Sequence, residues 1–148
     1  MKKLIFILVL FLAACGNNNE DVQTDDIDEV EYTREVYLIE TANAIREIHS
    51  QHDKLIKQLA EKSSPTEVSI TFMDMSILAT DQSYQLPGTE SLEFDLIKKD
   101  LNEIQSYVDG KYKVFSEQKE LDGLNLNLSI TELEKLINTL ENDFKSVQ

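Results

Sequence analysis

Core-type positions recur at steps of three and four through the first half of the chain. Leu38, Thr41, Ile45, Ile48, His52, Leu55 and Leu59 share one face, widened by Ala42 and Ile56. That spacing matches the 3.6-residue helical period and predicts a helix over about residues 29–62, approaching 50 Å in length. The pattern stops at "SSPTE", which also carries the start of a second helix. Ser64 can cap, Pro65 suits the first helical position and Glu67 completes a capping box. Two helices joined by so short a link fold back antiparallel.

Two apolar stripes run through the second segment, up to about Tyr84. Val68, Phe72, Met75 and Ala79 form one; Ile70, Met73, Ile77 and Tyr84 form the other. The stretch "VSITF" alternates as a strand would, but the helical spacing runs further and predicts a helix. Two stripes imply a broad apolar face buried on both flanks, as in a central bundle member. "QLPGTE" is turn chemistry, with Thr89 available to cap the next helix.

Phe94, Ile97, Leu101, Ile104, Val108 and Phe115 then hold a heptad phase, with Lys111 as its polar member, stretched along the surface. Asp109-Gly110 resembles a hairpin turn in isolation. The phase nevertheless carries across it, which predicts one continuous helix with a weak point at Gly110. Gly123 reads as a helix stop. Leu124, Leu126 and Leu128 alternate without a strand partner and are expected to lie across the end of the bundle. Ser129 and Glu132 form a further capping box, opening a helix with Ile130, Leu133, Ile137, Leu140, Phe144 and Val147 on one face. Four antiparallel helices with short links predict an all-α fold, an up-and-down bundle over residues 30–148.

The first residues obey another rule. Lys2 and Lys3 precede an unbroken apolar run from Leu4 to Leu12, and Ala13 and Ala14 stand just before Cys15. This is a secretory signal layout. The run is about 11 residues long with the alanines, roughly 16 Å as a helix against a hydrocarbon core of about 30 Å, too short for a permanent span. Leu12-Ala13-Ala14-Cys15 resembles the lipobox of bacterial lipoprotein precursors. The resemblance implies diacylation of the Cys15 sulfur and cleavage between Ala14 and Cys15, making residues 1–14 a signal peptide. It further implies a lipid anchor at the extracytoplasmic face of the cell membrane, because two acyl chains suffice for stable attachment. An ordinary cleaved signal with a free thiol and a chance arrangement of residues are the competing readings. Cys15 is the sole cysteine, so the chain can form no internal disulfide.

Beyond Cys15, residues 16–31 contain seven acids and no base. Residues 15–29 read as a lipidated cysteine followed by a flexible acidic tether, with a reach of about 20 Å or more. A cation-binding tail would need an Asp-x-Asp-x-Asp-Gly loop, which is absent from the sequence. The whole chain has 14 basic and 28 acidic residues, a net charge of −14; losing Lys2 and Lys3 with the signal leaves 12 bases against 28 acids, or −16. Such a body repels phosphate backbones, so nucleic acid is not expected as a partner.

Candidate chemistry is sparse. "HSQHD" places His49, His52 and Asp53 within one helical turn, so two or three of them could face one metal ion. The set lacks further identifiable ligands, and the alternative puts His52 in the helix seam and pairs His49 with Asp53 at the surface. No Gly-rich phosphate loop and no Gly-x-Ser-x-Gly elbow occurs, and no cofactor is implied. Enzymatic activity is not expected. Tyr32, Tyr37, Tyr84, Tyr107 and Tyr112 are expected mainly at core edges.

The acidic stretch after Cys15, "LPGTESLEFDLIKKDLNEI" and "LSITELEKLINTLENDF" are similar in kind to small helical lipoproteins of low-GC Gram-positive bacteria. That resemblance implies an address and an architecture and carries no activity. The expected role is a non-enzymatic interaction module of the cell envelope, with an envelope protein as partner. The alternatives are an envelope metal- or small-ligand-binding protein, and an immunity or exclusion lipoprotein of a mobile element.

Overall fold

A computed structural model of the chain describes residues 26–87 and 92–148, the first eight of them as backbone. Helix α1 spans Asp26–Glu61, α2 Pro65–Gln85, α3 Asp95–Ser116 and α4 Gly123–Ser146, with a 3-10 turn at Leu92–Phe94 leading into α3. No strand occurs among the described residues. Each helix packs on its neighbours in sequence, and α1 closes the ring against α4. The fold is therefore all-α, a four-cornered up-and-down bundle.

Local chemistry sets each corner. At the α1–α2 link, Lys62 N–H donates to the Leu59 carbonyl at 3.3 Å and Ser63 N–H to the Gln58 carbonyl at 2.9 Å, satisfying two carbonyls at the end of α1. Lys62 takes φ 53° to do so, a left-handed conformation that costs a side chain roughly 1 kcal/mol. Two residues on, the expected capping box is present. Glu67 N–H donates to Ser64 Oγ at 3.3 Å, and Ser64 N–H donates to the Glu67 carboxylate at 2.9 Å. These bonds from the Ser64 backbone and hydroxyl hold the Glu67 carboxyl below its ordinary range.

The core runs the length of the bundle. Ile48 and Leu55 from α1, Phe72 and Met75 from α2, Leu101 and Ile104 from α3, and Leu133 and Leu140 from α4 are fully enclosed. Phe72 and Phe115 stack with ring centroids 5.5 Å apart, and Tyr37 meets Phe94 edge-on at 5.9 Å. All six apolar members of the α3 heptad phase are buried. Helix α3 runs unbroken through Gly110, and Lys111 lies with its ammonium 5.2 Å from the Tyr107 ring.

Three expectations change. Helix α1 begins at Asp26 rather than Glu29. Acids are favoured in a first helical turn, so nothing in "DIDE" opposes the earlier start. Residues 1–25 lie outside the described residues, and with them the expected signal peptide, Ala14, Cys15 and most of the expected tether; Thr89 lies outside them too.

Gly123 does not stop a helix but opens one. Asp122 is the cap, its Oδ1 accepting from Asn125 N–H at 3.0 Å, and α4 starts there rather than near Ile130. A strong acidic N-cap outweighs the single glycine behind it. The three leucines then spread around the helix, with Leu126 buried and Leu124 and Leu128 facing water. Ser129 is an interior residue whose hydroxyl donates to the Asn125 carbonyl at 2.7 Å, while its own carbonyl accepts from the Tyr107 hydroxyl at 3.1 Å.

The third change concerns α2. Only one of its two stripes is buried. Val68, Phe72, Met75 and Ala79 face the core, whereas Ile70, Met73, Ile77 and Tyr84 do not.

Candidate functional site

Helix α2 is a corner helix with small polar residues on both flanks. Ser69, Ser76 and Ser83, seven residues apart, are buried. Ser76 Oγ donates to Asp109 Oδ1 at 2.6 Å, and Ser83 Oγ donates to Asn102 Oδ1 at 2.9 Å. Both acceptors belong to α3 and are also seven residues apart, so one ladder of side-chain bonds runs along the α2–α3 seam. On the α1 side, Gln82 Nε2 donates to Thr41 Oγ1 at 3.0 Å, a pair that is buried. Serine, threonine and alanine occupy little volume and let neighbouring backbones approach closely. Adjacent helices thus meet α2 on its small residues, and its bulky outer ones are left uncovered.

The outer face of α2 carries an apolar stripe, bordered on its α1 side by Asp74 and Asp81. Ile70, Met73, Ile77 and Tyr84 are 43, 38, 51 and 83 % exposed. A 100° turn per residue puts all four opposite the core-facing Met75, within about 60° of one another. The stripe is about 21 Å long from Ile70 to Tyr84 and steps by three, four and seven, the spacing of a helix-pairing seam. The ladder bonds match 76 with 109 and 83 with 102, so the same antiparallel register sets Met73 across from Tyr112, which is itself partly exposed. At the other end, Thr80, Ser83, Tyr84, Lys98, Asn102 and Gln105 line a shallow cleft of about 230 Å³.

The charge on α2 has one sign. Glu67, Asp74 and Asp81 are its charged residues, and it carries no lysine or arginine. Asp74 stands 3.9 Å from Lys54 of α1, both of them well exposed, so this contact is weak.

The histidine cluster is arranged differently from a chelating site. His49 Nε2 meets Glu141 Oε1 of α4 at 2.8 Å, so its partner is not Asp53. His52 is buried in the α1 seam with Nε2 3.2 Å from the Ile130 carbonyl, and Asp53 faces water. Among the described residues, no three His, Cys, Asp or Glu side chains converge as a metal centre would require. Glu141 could not be matched to His49 from local spacing, because 92 residues separate them.

A second polar feature lies inside the α3–α4 seam. Asp100 is buried, its Oδ2 has no hydrogen-bond partner, and its carboxyl faces that of Asp143. Burial, helped by the Asp143 hydrogen bond and charge, pushes the Asp100 carboxyl up to about 6. Sequence spacing flags neither group. At the end of the bundle, Arg34 of α1 donates through Nε to Glu93 Oε1 at 3.0 Å and through Nη2 to the Val147 carbonyl at 2.7 Å, fastening the entry to α3 and the C-terminal end of α4 to α1.

Comparison with protein-family models, curated proteins and solved structures gives no match to this chain. Function must therefore be read from the surface itself. No helix among the described residues is long and apolar enough to cross a membrane. A contiguous apolar face on a charged body excludes water poorly when free and gains by being covered.

Proposed function

We propose that this chain is a lipid-anchored, non-enzymatic interaction module of the cell envelope, whose α2 outer stripe engages another envelope protein. The single observation behind this reading is the stripe itself, four large apolar side chains aligned on the outside of a helix and bordered by acids alone. Supporting it from the sequence is the lipobox pattern Leu12-Ala13-Ala14-Cys15, which would place the bundle at the extracytoplasmic face of the membrane, held by acyl chains on Cys15. The anchor sets the address and the stripe supplies the contact.

Photo-crosslinking in intact cells tests it. A photoreactive residue at position 77 should give a discrete crosslinked species larger than the protein, while the same residue at Ile39, exposed on α1, should give none. Equal labelling at both positions, or none at 77, contradicts the proposal.

A further inference from the structure

The stripe's dimensions and charge narrow the range of partners that can cover it. Four side chains exposed to between 38 and 83 % amount to a patch of a few hundred Å². A stable pair of folded proteins needs about 800 Å² from each partner. A face one helix wide and about 21 Å long matches a single helix laid along it, read by anchors at i, i+3 or i+4 and i+7. Self-association is the poorer fit. Two copies pairing through α2 would bring Glu67, Asp74 and Asp81 of each together with no base from either α2, on bodies that already carry a net charge of −14 or below. An anionic membrane surface meets the same repulsion.

We infer that the outer face of α2 is a docking site for one amphipathic helix of another protein, with apolar anchors at heptad spacing flanked by lysine or arginine. This deepens the interaction-module reading and rests on it. Ile70, Met73 and Ile77 supply the apolar seam, and Tyr84 closes it with its hydroxyl free to stay wet. Asp74 and Asp81 lie along the α1-side edge of the stripe, where they meet the partner's basic flank and set its orientation. Lys54, 3.9 Å from Asp74 in a loose exposed contact, gives way to the incoming cation. Charge of this kind raises the association rate and selects the partner, and it makes the contact salt-sensitive.

The test uses the full lipid-anchored chain in zwitterionic nanodiscs and three labelled synthetic helices. All three have the same length; two share leucines at heptad spacing with either lysine or glutamate flanks, and the third is the lysine peptide with scrambled order. Fluorescence anisotropy should show the ordered lysine peptide binding at least about tenfold more tightly than the other two, with affinity falling as salt rises. Ile70→Ser/Ile77→Ser should abolish that preference, Asp74→Asn/Asp81→Asn should reduce it, and Ile39→Ser on α1 should leave it intact. Circular dichroism of each variant checks that these exposed substitutions keep the helix content. Binding that survives Ile70→Ser/Ile77→Ser, or equal affinity for lysine and glutamate flanks, overturns the inference. So does a concentration-dependent dimer lost in Ile70→Ser/Ile77→Ser, or attachment of the stripe to protein-free anionic vesicles. A crosslink from position 77 in cells to a segment lacking basic flanks would leave the interaction module standing and refute this inference alone.

Discussion

Replacing Asp100 by Asn should make the protein more stable at neutral pH and change it little in acid. Asp100 is 3 % exposed in the α3–α4 seam, with Oδ2 unpartnered and Asp143 opposite. Burial first, then the Asp143 hydrogen bond and charge, raise its carboxyl from the ordinary 3.8 to about 6, with Glu103 adding to the rise and Lys99 opposing it. The folded protein therefore holds this proton more tightly than the unfolded chain does. Its contribution to stability is fully present below about pH 4 and is lost as pH rises through about 6. At about 1.4 kcal/mol per pH decade, the loss is at most ~3 kcal/mol, and sharing the proton with Asp143 reduces it to roughly 1–3 kcal/mol. Asparagine keeps the shape and abolishes the ionisation. Urea unfolding followed by circular dichroism, at about pH 4.5 and about pH 7.5, measures the difference between variant and parent. That difference should favour Asp100→Asn by about 1–3 kcal/mol at the higher pH and shrink to roughly a third of that at the lower. A difference independent of pH, or a variant less stable at about pH 7.5, refutes the reasoning. Asp143→Asn should recover part of the gain, because it removes the like charge and leaves the burial.

The same packing sets the response to other substitutions. Leu101→Ala, fully enclosed in the bundle, should lower unfolding free energy by about 2–5 kcal/mol in the same urea assay. Gly110→Ala should raise it by about 0.5–1 kcal/mol, because a methyl group there meets open space inside a continuous helix. Lys62→Gly should raise the melting temperature, relieving up to about 1 kcal/mol of left-handed backbone cost. Ser64→Ala, which removes one half of the capping box at the start of α2, should cost about 1 kcal/mol.

The pattern of the chain carried most of the bundle and misjudged its most informative helix. In α3 a single apolar phase left no choice of face, and every apolar member from Phe94 to Phe115 is buried. In α2 two apolar stripes competed, and periodicity cannot rank them. The deciding signal was the small-residue series Ser69, Ser76 and Ser83, matched at the same seven-residue step by Asn102 and Asp109 on α3. Close packing on serine puts the second stripe outside. The Gly123 reading failed because a glycine is a weak breaker beside an aspartate able to cap. His49–Glu141 and Asp100–Asp143 lie between helices, and their pairing depends on interhelical register that no local window contains.

If the outer stripe of α2 is the contact surface, it is covered in the cell and bare in the isolated protein. If the Cys15 sulfur is acylated as proposed, a cysteine placed at position 77 or at position 39 would be the sole free thiol of the chain. Maleimide labelling rates in intact cells, divided by the rates for the purified protein, compare the two sites directly. Position 77 should be slowed several-fold relative to position 39; equal ratios at the two sites would contradict a covered stripe.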